Sequence, residues 1–348
     1  MIYKGRVIIM KLSFEKLKDL SQGVEYISNE NDLIQFHRFT PKQEEYYAKT
    51  GFHPREYVTS GVKIRFQTDS KYLELKVNVK SGSPSNYFAH EIFVNQNRIG
   101  VLSNISKTDL PIKFDKKTLL PIGDFMLGDF SGKYDLGDGI KEVCIVFPWN
   151  VISFVREICL EDGSLVMKSS PEYRIITFGD SITYGSAAVS PSNRYCSKLA
   201  EALNAEEICK GIGGENFCPS LIEVGSMVRP DYVLVSYGTN DQFNDDFKSR
   251  CTEFLEKLSQ KYSDSRIIAI SPIWRVDCEK ELYLEFFKNK EKFIRETVAH
   301  YNNAIFICGF DLVPHDINYF ADEALHPNDM GFEIYSNNLL KMLKKHIK

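Results

Sequence analysis

Three short strings in the C-terminal half of the chain carry side chains that together could act on an ester: Gly179-Asp180-Ser181, Gly238-Thr239-Asn240-Asp241 and His326-Pro327-Asn328. A serine hydroxyl is a weak nucleophile until a neighbouring base takes its proton, and an imidazole is the commonest such base. An asparagine carboxamide is a suitable donor to the oxyanion of a tetrahedral intermediate. The strings therefore offer a nucleophile in Ser181, a general base in His326 and an oxyanion donor in Asn240. Each also has an ordinary structural alternative. Asp180-Ser181 is a good helix N-cap, the residues from Gly238 to Asp241 form turns readily, and Asn328 could cap a final helix. Among the other histidines, the main rival is His315, within Pro314-His315-Asp316, which reads as a loop residue.

For these side chains to meet, the chain between them must bring distant segments to one place. From about Pro171 onward, apolar runs at 174–178, 232–236, 266–270 and 304–307 alternate with helical patterns at 193–203, 245–261, 279–301 and 329–345. Such alternation predicts a parallel sheet covered on both faces. Open sheets of this kind bind ligands beyond the carboxyl ends of their strands. Ser181 lies three residues past the first run and Asn240 four past the second, so both belong at one edge.

The first half has a different period. Val62-Lys63-Ile64-Arg65-Phe66 and the run from Leu73 to Val79 alternate apolar and polar, the signature of half-buried antiparallel strands. Further strand candidates fall at 88–94, 142–147 and 151–160, with one helical stretch at 14–20. Turn-formers such as Ser81-Gly82-Ser83-Pro84 and Gly137-Asp138-Gly139 separate them. The expected organisation is an antiparallel, jelly-roll-like β-sandwich accessory domain over residues 1–170 and a catalytic α/β domain over 171–348.

Composition removes several classes of function. The chain of 348 residues is 43% hydrophobic and carries a net charge of −4 without a basic block, which gives no support for nucleic-acid binding. It contains no stretch of membrane-spanning length and no recognisable export signal, so a cytoplasmic protein without a membrane partner is expected. The eight cysteines form no C-x-x-C pair, and several sit in apolar runs as small hydrophobes. No metal-ligand spacing is present, and neither metal nor cofactor is expected.

From Arg174 onward the chain resembles the SGNH (GDSL-type) hydrolases. The motifs that carry the resemblance are Gly179-Asp180-Ser181-Ile182-Thr183-Tyr184-Gly185, Ile212-Gly213-Gly214-Glu215-Asn216, Gly238-Thr239-Asn240-Asp241 and the segment ending in His326. An α/β-hydrolase G-x-S-x-G elbow is absent. The resemblance implies a flavodoxin-like parallel sheet and a two-step acyl transfer, with Ser181 as nucleophile and His326 as base. It also implies an oxyanion hole made by the backbone N–H groups of Ser181 and Gly214 and the amide of Asn240. The family usually places an aspartate three residues before the histidine. Here that position is Glu323, favoured by register, with Asp322 one residue earlier as its rival and a backbone carbonyl holding the ring as a third possibility.

The sandwich ahead of such a domain is similar to the architecture of family two carbohydrate esterases, on the phrases from Ser60 to Phe66 and Phe147-Pro148-Trp149. This implies a small-molecule acyl ester as substrate, with an acetylated oligosaccharide favoured. Tyr46, Tyr47, Tyr57, Tyr87, Phe88 and Trp149 could stack on sugars or fill the sandwich core. Asp180, Trp274 and Arg275 are candidates for substrate contact, and Trp274 could equally support the sheet edge. Two other readings remain: a carbohydrate-binding protein without useful turnover, and a sugar O-acyltransferase.

Overall fold

The computed structural model describes residues 9–226, 228–241 and 245–345. The basic end of the final helical pattern, Lys341 to Lys348, includes residues 346–348, which lie outside the described residues. Among the described residues, no helix is long and apolar enough to cross a membrane.

The N-terminal half is a sandwich of two antiparallel sheets. One contains Gly128–Asp135, Tyr72–Ser81, Val151–Glu161, Leu33–His37 and Tyr26–Glu30 in that order. The other runs Val166–Lys168, Lys63–Thr68, Lys141–Val146, Ala89–Val94 and Asn97–Ser103. Alternate residues of each strand point inward. Leu73, Leu75, Val77 and Val79 from the first sheet meet Ile64, Phe66, Ile92, Val143 and Ile145 from the second in one buried cluster. A two-stranded hairpin, Lys113–Phe114 with Pro121–Ile122, stands apart from both sheets.

The C-terminal half holds a parallel sheet, its strands numbered β1 to β5 within this sheet: Tyr173–Gly179, Ala205–Cys209, Tyr232–Ser236, Arg266–Ile270 and Ala304–Ile307. Their spatial order is β2-β1-β3-β4-β5, the flavodoxin-like arrangement. Successive β1 side chains serve opposite faces. Ile176 and Phe178 pack with Phe254 and Leu258 of the helix Phe247–Lys261. Ile175 packs with Leu199 of Tyr195–Ala202 and with Tyr335 and Leu339 of Asp329–Leu343. The strands are parallel, but the direction in which the chain winds across the sheet reverses between β1 and β3, so a crevice opens beyond their carboxyl ends.

Strand β2 was not visible as a strand in the sequence, and its residues explain why. It reads Ala-Glu-Glu-Ile-Cys. Glu206 pairs with Arg174 at 3.1 Å, and the buried Glu207 accepts from Arg194 at 2.7 Å. Arg194 in turn donates to the carbonyls of Thr183 and Tyr184. The charge that hides the strand thus ties the sheet edge to the turn carrying Ser181. All eight cysteines are free thiols.

Candidate active site

Strand β1 ends at Gly179, where a Cβ would lie 2.1 Å from Thr183 Oγ1 and 2.6 Å from the Ser236 carbonyl. Only glycine lets the chain pass so close to β3 before turning into the short helix Ser181–Tyr184. Asp180 caps that helix, its carboxylate accepting from the Ile182 N–H at 3.0 Å. Burial pushes the Asp180 carboxyl up to about 6, against the opposing effects of the Ile182 N–H and the Thr239 hydroxyl. Asp180 therefore acts locally, shaping the nucleophile turn, and does not line the cavity described below.

Ser181 Oγ lies 2.9 Å from His326 Nε2, although 145 residues separate them in the chain. His326 Nδ1 lies 2.6 Å from Asp322 Oδ2. The other carboxylate oxygen, Oδ1, accepts from the backbone N–H groups of Ala324, Leu325 and His326 at 3.0, 2.8 and 3.1 Å. Burial works to raise the Asp322 carboxyl, but the His326 ring and these backbone N–H groups outweigh it, holding it below the usual carboxylate value. An ionised Asp322 keeps a proton on Nδ1 and leaves the Nε2 lone pair for the serine.

The preference for Glu323 by register does not match this geometry. Glu323 sits at φ +55° and its carboxylate pairs with Lys116 at 2.7 Å on the surface. Its left-handed backbone takes up the one extra residue between acid and base, so the ring meets Asp322 instead. A glutamate in the Asp322 position would be too long to cap its own turn with one oxygen and hold the ring with the other.

Ser181, Gly214, Asn240 and His326 line one cavity of about 240 Å³. Gly214 has φ +87°, and Asn240 Nδ2 donates to the Glu215 carbonyl at 3.0 Å, which takes one of its two N–H groups. The sandwich supplies much of the remaining wall: Arg55, Ser83, Ser85 and Trp149, with Phe114, Leu119 and Leu120 from the hairpin. Of the six aromatics considered for sugar stacking, only Trp149 reaches this wall. Tyr47, Tyr87 and Phe88 are buried in cores.

Trp274 and Arg275, expected as pocket residues, are not in the wall. Trp274 is buried and stacks on His315 at 5.2 Å, and His315 Nε2 bonds the Phe310 carbonyl. The Arg275 guanidinium pairs with Asp277 and lies over Phe287. Both side chains turn into packing beside β4 because apolar and acidic partners there cover them. The hairpin leaves no sign in the sequence, since a strand pair of two residues each shows no periodicity.

Behind the cavity wall lies Glu215, buried, with one carboxyl oxygen accepting from Tyr47 at 2.6 Å and the other from Tyr237 at 2.9 Å. Burial pushes this carboxyl up from 4.5 to about 8, against the lowering effect of the two tyrosine hydroxyls. The folded protein therefore binds a proton here that the unfolded chain releases. Stability from this site is full below about pH 4.5 and is lost as pH rises through about 8. Glu215→Gln cannot ionise and is expected to flatten that fall. Melting temperatures of both proteins across the neutral range check this; parallel curves would show that Glu215 is ionised in the fold.

Residues 177–334, within the parallel-sheet half of the chain, match the model of the GDSL-like lipase/acylhydrolase family. A search of curated proteins finds no match. Among solved structures, the chain is similar to the salicylyl-acyltransferase SsfX3 from a tetracycline biosynthetic pathway, with 16% identity, TM-score 0.77, and 97% of this chain and 98% of that one covered. It is also similar to a family two carbohydrate esterase from Cellvibrio japonicus, with 14% identity, TM-score 0.62, and 97% of each chain covered. A family two carbohydrate esterase from Clostridium thermocellum, solved with cellohexaose, aligns at 14% identity and TM-score 0.58 over 83% of this chain and 94% of that one. At these identities the likeness establishes the two-part fold.

Proposed function

We propose that the protein is a serine esterase that hydrolyses small acyl esters, acetyl esters of carbohydrates foremost. The observation that carries this reading is the continuous relay from Ser181 through His326 to Asp322, opening into a cavity. His326 Nε2 takes the Ser181 proton as Oγ bonds to the ester carbonyl carbon. The carbonyl electrons move to oxygen, which accepts from the Ser181 and Gly214 backbone N–H groups and the Asn240 amide. His326 then gives its proton to the departing alcohol as the C–O bond breaks. Water repeats the sequence on the acyl-serine, releasing the acid.

A cavity of about 240 Å³ lies below the usual range for drug-sized ligands, which favours a short acyl group. The test is hydrolysis of p-nitrophenyl acetate together with labelling by a fluorophosphonate, the modified residue being located by mass spectrometry. Turnover with a label on Ser181 supports the reading. The absence of both turnover and label would refute it. Asn240→Ala is expected to lower kcat by about 10²–10³-fold with less change in KM; an unchanged kcat would remove Asn240 from the oxyanion hole.

The apolar wall of Phe114, Leu119, Leu120 and Leu325 favours a second reading, transfer of the acyl group to an acceptor alcohol. The fold shared with SsfX3 is compatible with it. Hydrolysis and transfer share the acyl-serine, so acetate release measured against acetylated-acceptor formation separates them.

A further inference from the structure

The carbonyl of Gly213 and the N–H of Gly214 belong to one peptide unit. In a trans peptide these two groups point in opposite directions. Whatever holds the carbonyl therefore aims the N–H. The group that holds it comes from the sandwich: Arg55 Nη1 donates to the Gly213 carbonyl at 2.7 Å. We propose that Arg55 is a positioning residue for the oxyanion hole, clamping the Gly213–Gly214 peptide with its N–H facing the cavity. This rests on the esterase reading above.

A clamp is needed because this peptide is flanked by two glycines. Neither has a Cβ to oppose rotation of the unit, and Gly214 already occupies the left-handed region at φ +87°. A Cβ on Gly214 would meet nothing closer than Phe52 at 3.6 Å and Arg55 Nη1 at 3.7 Å, so packing alone does not fix it. A flipped peptide would point a carbonyl oxygen at the developing oxyanion, replacing attraction with repulsion. The Arg55 charge also draws electron density toward the carbonyl and strengthens the N–H as a donor.

The clamp is itself anchored. The fully buried Arg38 donates to the backbone carbonyl of Arg55 at 2.9 Å, and to those of Cys209 and Gly211, both at 2.8 Å. Guanidinium groups from the sandwich thus hold alternate carbonyls, 209, 211 and 213, along the loop leaving β2. At the end of this loop, Glu215 takes the Tyr47 hydroxyl, again from the sandwich.

The test uses the full chain with Arg55→Met, Arg55→Lys and Arg55→Ala. For p-nitrophenyl acetate, Arg55→Met is expected to lose about 10²–10³-fold in kcat, the cost of one oxyanion donor, with KM within about threefold. Arg55→Lys should recover part of the loss, and added guanidinium ion should raise the rate of Arg55→Ala saturably. The affinity of a boronic acid, whose tetrahedral adduct mimics the intermediate, should fall by the same factor as kcat. Circular dichroism and melting temperature verify folding of each variant. The proposal is overturned if Arg55→Met keeps kcat within threefold, or if only KM rises, which would make Arg55 a substrate contact. It is equally overturned if boronate affinity does not change. A wild type that neither turns over ester nor labels at Ser181 refutes the esterase reading itself. A labelled, active wild type with an unaffected Arg55→Met refutes this inference alone.

Discussion

Ser181→Ala is expected to lower kcat for p-nitrophenyl acetate by about 10⁴–10⁶-fold while leaving KM within a few-fold. Removing Oγ leaves His326 Nε2, now 2.9 Å from that oxygen, with only water to activate, and no acyl-enzyme can form. The oxyanion donors survive, so a residual rate above that in water is expected. Asp180, not Ser181, supplies the side-chain cap of the following helix. The fold should therefore tolerate alanine, and a retained melting temperature separates chemistry from collapse. A variant rate within tenfold of the wild type would mean that acyl transfer does not pass through this serine.

Asp322→Asn is expected to cost about 10³–10⁴-fold in kcat. Its amide would present a donor to the ring, favour a proton on Nε2, and remove the lone pair that must accept from Ser181. Capping of the turn by Oδ1 can persist in asparagine, so the loss should appear in rate far more than in stability. Glu323→Gln is the matched control. It loses one exposed ion pair with Lys116, a solvent-screened contact that contributes little to stability. Its kcat should stay within about threefold. Parallel kcat measurements on the two variants decide the matter, and the reverse ranking would place the acid at Glu323.

The parts of the molecule legible from sequence are those where local pattern and final environment agree. β3, β4 and β5 have the boundaries that their apolar runs imply: β3 and β4 are central strands buried on both faces, and the edge strand β5 is apolar throughout. The Ser181, His326 and Asn240 triplet was readable because strand ends of such sheets gather on one edge. What stayed hidden depended on partners distant in sequence. β2 was masked by Glu206 and Glu207, which are intelligible only beside Arg174 and Arg194. The helix Pro41–Tyr47 carries a local sign, the capping box of Thr40 and Gln43, but no apolar period, because its buried residues include the polar Gln43 and Glu44. The carboxylate that meets the His326 ring lies one residue earlier than register implies, because no spacing rule anticipates a left-handed Glu323. Arg55 gave no sequence sign at all, since a carbonyl it touches lies 158 positions away.

The side chains that reach from the sandwich to the loops of the parallel sheet have an implication for how the site comes into being. Ser60, Tyr87 and Trp149 hold the carbonyls of Tyr184 and Ala188, while Arg38 and Arg55 hold those beyond β2. In an enzyme built from two polypeptides, such contacts would form and dissolve with dilution. Here a continuous backbone joins donor and recipient, so their encounter is unimolecular and the effective molarity of one half toward the other does not vary with expression level. Severed between 169 and 172, the same halves would be expected to recover activity only in proportion to how much of each is mixed, turning a fixed catalyst into a titratable one.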